Sequence, residues 1–317
     1  MNSLKSLLLL PVLALLSVSL FASIDTTFVE TKVNLQTTSG TIYGTLTTPL
    51  TGNQWPVALI IAGSGPTDRD GNNVKMKNNS LKILSLELAK RGIASLRYDK
   101  RGIAESKDAG KSEADLRFDD YIADAAGWIS LLKKDKRFTQ VIVIGHSEGS
   151  LIGMVAAGKA DKFVSVAGAG RSADKVLKQQ LGAQPKEIQE VSFPIIDSLK
   201  AGKTVADAPA MLYSLFRPIV QPYMISWFKY DPALEIKKLT IPTLIVQGTN
   251  DIQVSVEDAK LLAAANPKAG IMLIENMNHV FRIVTGDRQA NMAAYGNPEV
   301  PISDELVKGI SDFILKK

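Results

Sequence analysis

Val141-Ile142-Val143-Ile144-Gly145-His146-Ser147-Glu148-Gly149 is the stretch whose reading decides the fold. Four consecutive β-branched apolar residues predict a strand buried on both faces, which is the mark of a parallel sheet covered on each side. The glycines at 145 and 149 frame Ser147 in the pattern G-x-S-x-G. After a strand and before a helix, that pattern places a serine on a sharp turn with its hydroxyl lifted clear of the sheet. A side chain at either flanking position would collide with the neighbouring strand or helix. Ser147 is therefore the candidate nucleophile.

The same alternation runs outward from this point. Upstream, Val57–Ala62 and Ile93–Tyr98 read as short strands, with helical spacing over Ser80–Arg91 (Leu81, Leu84, Leu88) and over Asp119–Lys133. Downstream, Glu148–Gly158 reads as a helix, and Lys162–Ala167, Thr243–Gln247 and Gly270–Ile274 as further buried strands. Val256–Ala265 and Ser303–Leu315 complete the set as helices. Two alternating segments, around Thr31–Thr37 and Thr41–Thr48, precede all of these and predict an antiparallel hairpin turning at Ser39-Gly40. Strands alternating with helices imply an α/β domain built on a mostly parallel sheet. Between Arg171 and Leu239 the alternation stops, leaving helical spacing without strands, rich in Pro, Tyr, Phe and Trp. This stretch is expected to be a helical insertion lying over the sheet.

A serine hydroxyl becomes a useful nucleophile only when a base takes its proton. The chain has two histidines, and His146 lies inside the turn itself, pointing away from its neighbour's hydroxyl. That leaves His279, in the loop Asn276-Met277-Asn278-His279 just beyond the last strand, and loops at the carboxyl ends of parallel strands are where such sheets carry their sites. The orienting acid is expected between the serine and the histidine in the chain. Asp251, in Gly248-Thr249-Asn250-Asp251 directly after Thr243–Gln247, fits that position. Asn250 lacks the charge, Asp258 lies on the next helix, and Asp231 falls in the insertion. Oxyanion donors are expected from the backbone N–H of Glu148, which follows the nucleophile, and of Ser64 in the loop Gly63-Ser64-Gly65-Pro66, with Gly65 as the alternative one residue on. Gly63–Pro66 lacks the G-K-[ST] of a phosphate loop.

Composition bounds the remaining possibilities. The 317 residues are 45% hydrophobic and 22% charged, enough for a large core without covalent staples, and there is no cysteine for a disulfide, a thiolate metal ligand or a thiol nucleophile. Net charge is +5, of which Lys5 carries one, leaving +4 beyond the leader, and the basic residues alternate with acids as in Lys133-Lys134-Asp135-Lys136-Arg137. No basic stripe with interleaved aromatics is present, so nucleic acid is not an expected partner. At the N-terminus Lys5 precedes an uncharged run from Leu7 to Ala22 that is interrupted by Pro11 and is shorter than the ~20 residues of a spanning helix. Residues 1–22 read as a signal peptide cleaved before Ser23, an uncleaved anchor being the alternative. A periplasmic or secreted protein of residues 23–317 follows, with no stable membrane partner after cleavage.

These residues resemble the α/β-hydrolase superfamily from about Thr31 to the C-terminus, with several motifs in the right order. Ala62 to Gly71 (A-G-S-G-P-T-D-R-D-G) is similar to the G-S-G-P-x-D-R-D-G loop of a group of bacterial secreted acyl esterases. Asp99-Lys100-Arg101-Gly102 with Ser106 resembles the D-x-R-G-x-G-x-S turn of the same group, except that Ala104 stands where glycine is usual. The resemblance implies a Ser147-His279-Asp251 triad that cleaves small-molecule esters without metal or organic cofactor. It also implies that the insertion at about 171–239 caps the site, with Tyr223, Trp227 and Phe228 as candidate substrate contacts. Asp68, Arg69 and Asp70 are expected to hold the oxyanion loop by salt bridges. A peptidase or amidase anchoring its substrate through Arg217 or Lys229 is the alternative within the fold, and a binding protein on an inactive scaffold the alternative outside it.

Overall fold

The computed structural model describes residues 27–110 and 112–316, so the leader expected at residues 1–22 lies outside the described residues. Eight strands form one sheet in the order β1-β2-β4-β3-β5-β6-β7-β8. Strands β1 (Phe28–Thr37) and β2 (Gly40–Pro49) make the hairpin, β2 pairs antiparallel with β4 (Ala94–Tyr98), and every pairing from there on is parallel. The parallel part comprises β4, β3 (Trp55–Ile61), β5 (Phe138–His146), β6 (Lys162–Val166), β7 (Thr243–Gly248) and β8 (Gly270–Ile274).

Period-two alternation explains the unbroken apolar runs. Val57, Leu59 and Ile61 of β3 enter one core with Trp128 and Phe163, whereas Ala58 and Ile60 enter a second core with Leu84, Ile142 and Leu306. On the first face pack α2 (Phe118–Lys134) and α3 (Glu148–Ala156), and on the second α1 (Ser80–Lys90) and, from the far end of the chain, α11 (Asp304–Leu315). Five α-helices lie between β6 and β7: α4 (Ala173–Gly182), α5 (Lys186–Lys200), α6 (Tyr213–Phe216), α7 (Gln221–Trp227) and α8 (Pro232–Lys237). They enclose a small core of their own around Ile196, Leu199, Phe216, Met224 and Phe228. Arg171, where this segment begins, is tied to Asp258 on α9 (Val256–Ala265) by bonds of 2.7 and 3.0 Å.

Two features differ from the sequence expectation. Strand β8 is not buried: it ends the sheet, so Ile271 and Leu273 are 44% and 40% exposed although their run reads like an interior strand. A short helix, α10 (Arg288–Ala294), also forms after the His279 loop, started by Asp287 accepting from Ala290 N at 2.9 Å.

The strand order reverses at β3. The chain runs from β3 to β4 on one side, then crosses back to β5 on the other. A crevice opens at such a point, at the carboxyl ends of the strands, because the two connections leave in opposite directions. The loop Gly63–Pro66 after β3 and the turn at Ser147 after β5 flank it.

Candidate active site

The turn after β5 is held by close packing of backbone on backbone. A Cβ on Gly145 would lie 2.3 Å from Gly149 O and 2.5 Å from Ser150 Cα, and one on Gly149 would lie 2.3 Å from Ile61 O at the end of β3. Only glycine lets α3 start so tightly against these strands. Ser147 itself takes φ 55° and ψ −121°, a conformation costly for an L-residue, with its N–H donating to Val166 O at 3.0 Å. Its side chain faces a cavity of about 840 Å³ that is lined also by Ser64, Gly65 and Glu148. A methyl group on Gly63 would sit 3.2 Å from Ser147 Cβ, so the loop after β3 touches the serine directly. Glu148 is the first residue of α3, and first-turn N–H groups have no acceptor within their own helix.

His279 and Asp251 are brought together from the loops after β8 and β7. His279 Nδ1 lies 2.7 Å from Asp251 Oδ2, with side chains 6% and 1% exposed. A carboxylate only accepts, so Nδ1 carries the proton and Nε2 is left with the basic lone pair. Asp251 is over-determined: Oδ1 accepts from Gln253 N at 2.7 Å and Val254 N at 3.0 Å, and Oδ2 accepts also from Gln247 Nε2 at 3.1 Å. Burial opposes ionisation of this carboxyl. The His279 charge and hydrogen bond, with the two backbone N–H groups, outweigh burial and hold its pKa below the ordinary aspartate value.

His146 has a part that the sequence does not suggest. Its ring packs 4.7 Å from the His279 ring, and its Nε2 donates to the His279 carbonyl at 3.0 Å. Burial first, and then the His279 charge, push its pKa down to about 3, so it stays neutral and supports the His279 backbone. Lys100 is a second residue that sequence reasoning misses. It is buried at 1% exposure, donating to Gly63 O at 2.5 Å and to Glu148 Oε2 at 3.2 Å, while Tyr223 OH donates to the other oxygen of Glu148. Its place in Asp99-Lys100-Arg101-Gly102 is visible in the sequence, but nothing local marks a turn lysine as buried.

The neighbours of Lys100 in that turn do separate work. Asp99 accepts from Arg69 N at 2.8 Å and from Arg69 Nη2 at 2.6 Å, and Arg101 holds Asp124 of α2 through Nε at 2.7 Å. Asp70 pairs with Arg97, and Asp68 Oδ1 accepts from Asp70 N and Asn72 N at 2.9 and 2.8 Å. The Asp68-Arg69-Asp70 trio is thus a brace for the loop after β3. Ala104 adopts φ 44°, the left-handed conformation for which glycine is suited.

Of the three aromatic residues expected to meet substrate, Tyr223 and Trp227 line the cavity. Phe228 does not fit that expectation: at 1% exposure it is buried in the core of the helical segment and does not line the cavity. Tyr223, Trp227 and Tyr230 all pack on Phe118 at the start of α2, the Trp227 ring stacked at 5.9 Å and 11°. Arg217 lines the cavity too, but its guanidinium is paired with Glu113, and Lys229 is exposed.

Comparison with known proteins bears on the fold that carries this site. The chain is 26% identical over 283 residues to the esterase EstD of Thermotoga maritima, covering 84% of this chain and 64% of the relative, so it spans just under two-thirds of that protein's length. Est1E from Butyrivibrio proteoclasticus superposes with a TM-score of 0.58 at 15% identity, over 90% of this chain and 99% of that one. The Pyrococcus furiosus esterase Pf2001 does so with a TM-score of 0.57 at 16% identity, over 92% and 93%. The fold is that of the α/β-hydrolases. Residues 79–210 match a family model described as serine aminopeptidase, S33. In this α/β-hydrolase fold that match takes in β4, β5, the serine turn and the first helices of the inserted segment.

Proposed function

We propose that the chain is a serine hydrolase that cleaves carboxylic esters of small molecules through an acyl-enzyme. The observation that carries this reading is the 2.7 Å His279–Asp251 contact beside a strained serine turn that opens onto a cavity. Ser147 Oγ attacks the ester carbonyl carbon as its proton passes to His279 Nε2, and the carbonyl electron pair moves onto oxygen. Asp251 stabilises the imidazolium. The N–H groups of Ser64 and Glu148 donate to the oxyanion. The oxyanion then collapses, the alkoxide leaves with the proton from His279, and water repeats the sequence on the acyl-serine to release the acid. The named esterase relative supports this choice of ester, and the loop Gly63–Gly71 suggests kinship with secreted bacterial acyl esterases.

Helices α4–α8 act in this proposal as a cap, with Tyr223 and Trp227 bounding the space for the acyl or alcohol group. Residues 1–22 act as an export signal. N-terminal sequencing of protein recovered from a secreting host is expected to begin at Ser23, and an intact Met1 would overturn the cleaved-signal reading in favour of an uncleaved anchor. Among the described residues no helix is long and apolar enough to cross a membrane.

The test of the chemistry is hydrolysis of p-nitrophenyl esters of graded acyl length by the full chain and by Ser147→Ala. Activity is expected to vanish in the variant, and activity that survives would refute Ser147 as the nucleophile. An amide-cleaving role is the second reading, favoured by the serine aminopeptidase description of the matching family model. Turnover of aminoacyl p-nitroanilides with none of esters would establish it in place of the first.

A further inference from the structure

We infer that the buried ammonium of Lys100 is a positioning residue that aims both candidate oxyanion donors, an inference that rests on the ester-hydrolase reading above. Lys100 Nζ donates to Gly63 O at 2.5 Å and lies 3.2 Å from Glu148 Oε2, with both side chains almost fully buried. Gly63 O and Ser64 N–H belong to one peptide unit. A trans peptide is planar, and its C=O and N–H point in opposite directions. Holding the carbonyl therefore fixes where the Ser64 N–H points, one residue from where Gly63 touches Ser147. The ammonium also draws electron density through the amide, which makes the same N–H a stronger donor.

The second arm of the contact acts on the second donor. Glu148 opens α3, and its carboxylate is held between Lys100 Nζ and Tyr223 OH on α7. One cation thus ties the loop after β3 to the turn after β5, and Tyr223 extends the tie to the helical segment. A buried ion pair is a poor source of stability, since desolvation offsets its attraction and an apolar pair often does as well. Its position against the two donor-bearing residues points to orientation instead. This assignment also favours Ser64 over Gly65, because the carbonyl in the Gly65 N–H peptide unit, Ser64 O, accepts from Thr67 Oγ1 at 2.9 Å rather than from Lys100.

The test compares the full wild-type chain with Lys100→Met and with Lys100→Met/Glu148→Gln, the second of which leaves no buried carboxylate unpaired. The readings are kcat and KM on p-nitrophenyl butyrate, the rate of Ser147 labelling by a fluorophosphonate, and thermal melting. Loss of one oxyanion donor costs about 100-fold or more in kcat, so misaimed donors are expected to lower kcat by roughly 10–100-fold in both variants. KM is expected to stay within about twofold, labelling to slow in parallel, and the double variant to melt near wild type. A folded double variant with wild-type kcat and labelling overturns the inference and leaves the ester-hydrolase reading standing. A change confined to KM overturns it as well, making Lys100 a substrate contact. Wild type that is labelled but cleaves no ester refutes the ester reading alone, and the variants' labelling rates then decide the role of Lys100. Wild type that is neither active nor labelled overturns both.

Discussion

Replacing Asp251 by asparagine leaves the shape of the site almost unchanged and reverses one hydrogen bond. Four donors converge on the Asp251 carboxylate: His279 Nδ1 and Gln247 Nε2 at Oδ2, Gln253 N and Val254 N at Oδ1. An amide has one accepting oxygen. The two backbone N–H groups cannot turn, so the oxygen of the substituted side chain must face them and its NH2 must face His279. Gln247 cannot relieve the conflict, because its own NH2 also serves Val254 O at 3.0 Å and Gly248 O at 3.2 Å. His279 then presents a bare Nδ1 to the amide and carries its proton on Nε2, where the proposed mechanism needs the lone pair. The ion pair with the imidazolium is lost at the same time. By analogy with carboxylate-to-amide changes in such triads, kcat is expected to fall about 10³–10⁴-fold, a barrier increase of about 4–5.5 kcal/mol. KM should stay within a few-fold, since Asp251 does not line the cavity beside Ser147. The assay is initial-rate hydrolysis of p-nitrophenyl butyrate with active-site titration. An Asp251→Asn variant that keeps kcat within tenfold of wild type refutes the reasoning.

Gly149→Ala drives a methyl group to within 2.3 Å of Ile61 O and 2.7 Å of Ala62 O, so a loss of about 3 kcal/mol or more, read from the urea midpoint, is expected. Ala104→Gly relieves a left-handed alanine worth about 1–2 kcal/mol and gives back about 0.4–1 kcal/mol of unfolded-state entropy, for a net gain near 0.5 kcal/mol in thermal melting. His146 titrates near 3 when folded and near 6.5 when unfolded, so the folded state binds fewer protons between those values. Its contribution is therefore complete above pH 6.5 and is lost as pH falls towards 3, by about 1.4 kcal/mol per pH unit. Accordingly His146→Gln should flatten the fall in stability between pH 6.5 and 4, and an unchanged slope in urea titrations would assign that fall to other groups. Trp227→Ala removes the ring that stacks on Phe118 and lines the cavity, and is expected to shift the acyl-length optimum to longer esters. An unchanged length profile would reduce Trp227 to packing alone.

Most of the sheet was legible because strand and helix here carry different periods, and the serine turn because it demands glycine at two defined places. His279 was reached by elimination between two histidines, and its contact with Asp251 followed from chain order. What escaped depends on which strands become neighbours. Gly270–Ile274 reads like an interior strand, and its exposure follows only from its place at the end of the sheet. Tyr223 on α7 and Phe228 just past its end both pack on the core of the helical segment, so spacing does not say which one also meets the cavity. Residues 288–294 lack an apolar stripe and form a helix under the local Asp287 cap.

Lys100 shows most plainly how a local motif acquires its meaning from the fold. In a turn of Asp, Lys, Arg and Gly, nothing local marks a charge as buried. In the folded chain Asp99 grips Arg69 in the loop after β3, Lys100 grips Gly63 and Glu148, and Arg101 grips Asp124 on α2. Three consecutive residues thus anchor three separate elements around the crevice where the strand order reverses. Burying that many charges does not make a protein stable, because each must first be stripped of water. It does make the alternatives costly, since a shift of any one element leaves a buried charge without its partner. A turn of this kind trades stability for a single geometry of the loops that flank Ser147, and a single geometry is what an oxyanion hole requires before charge develops.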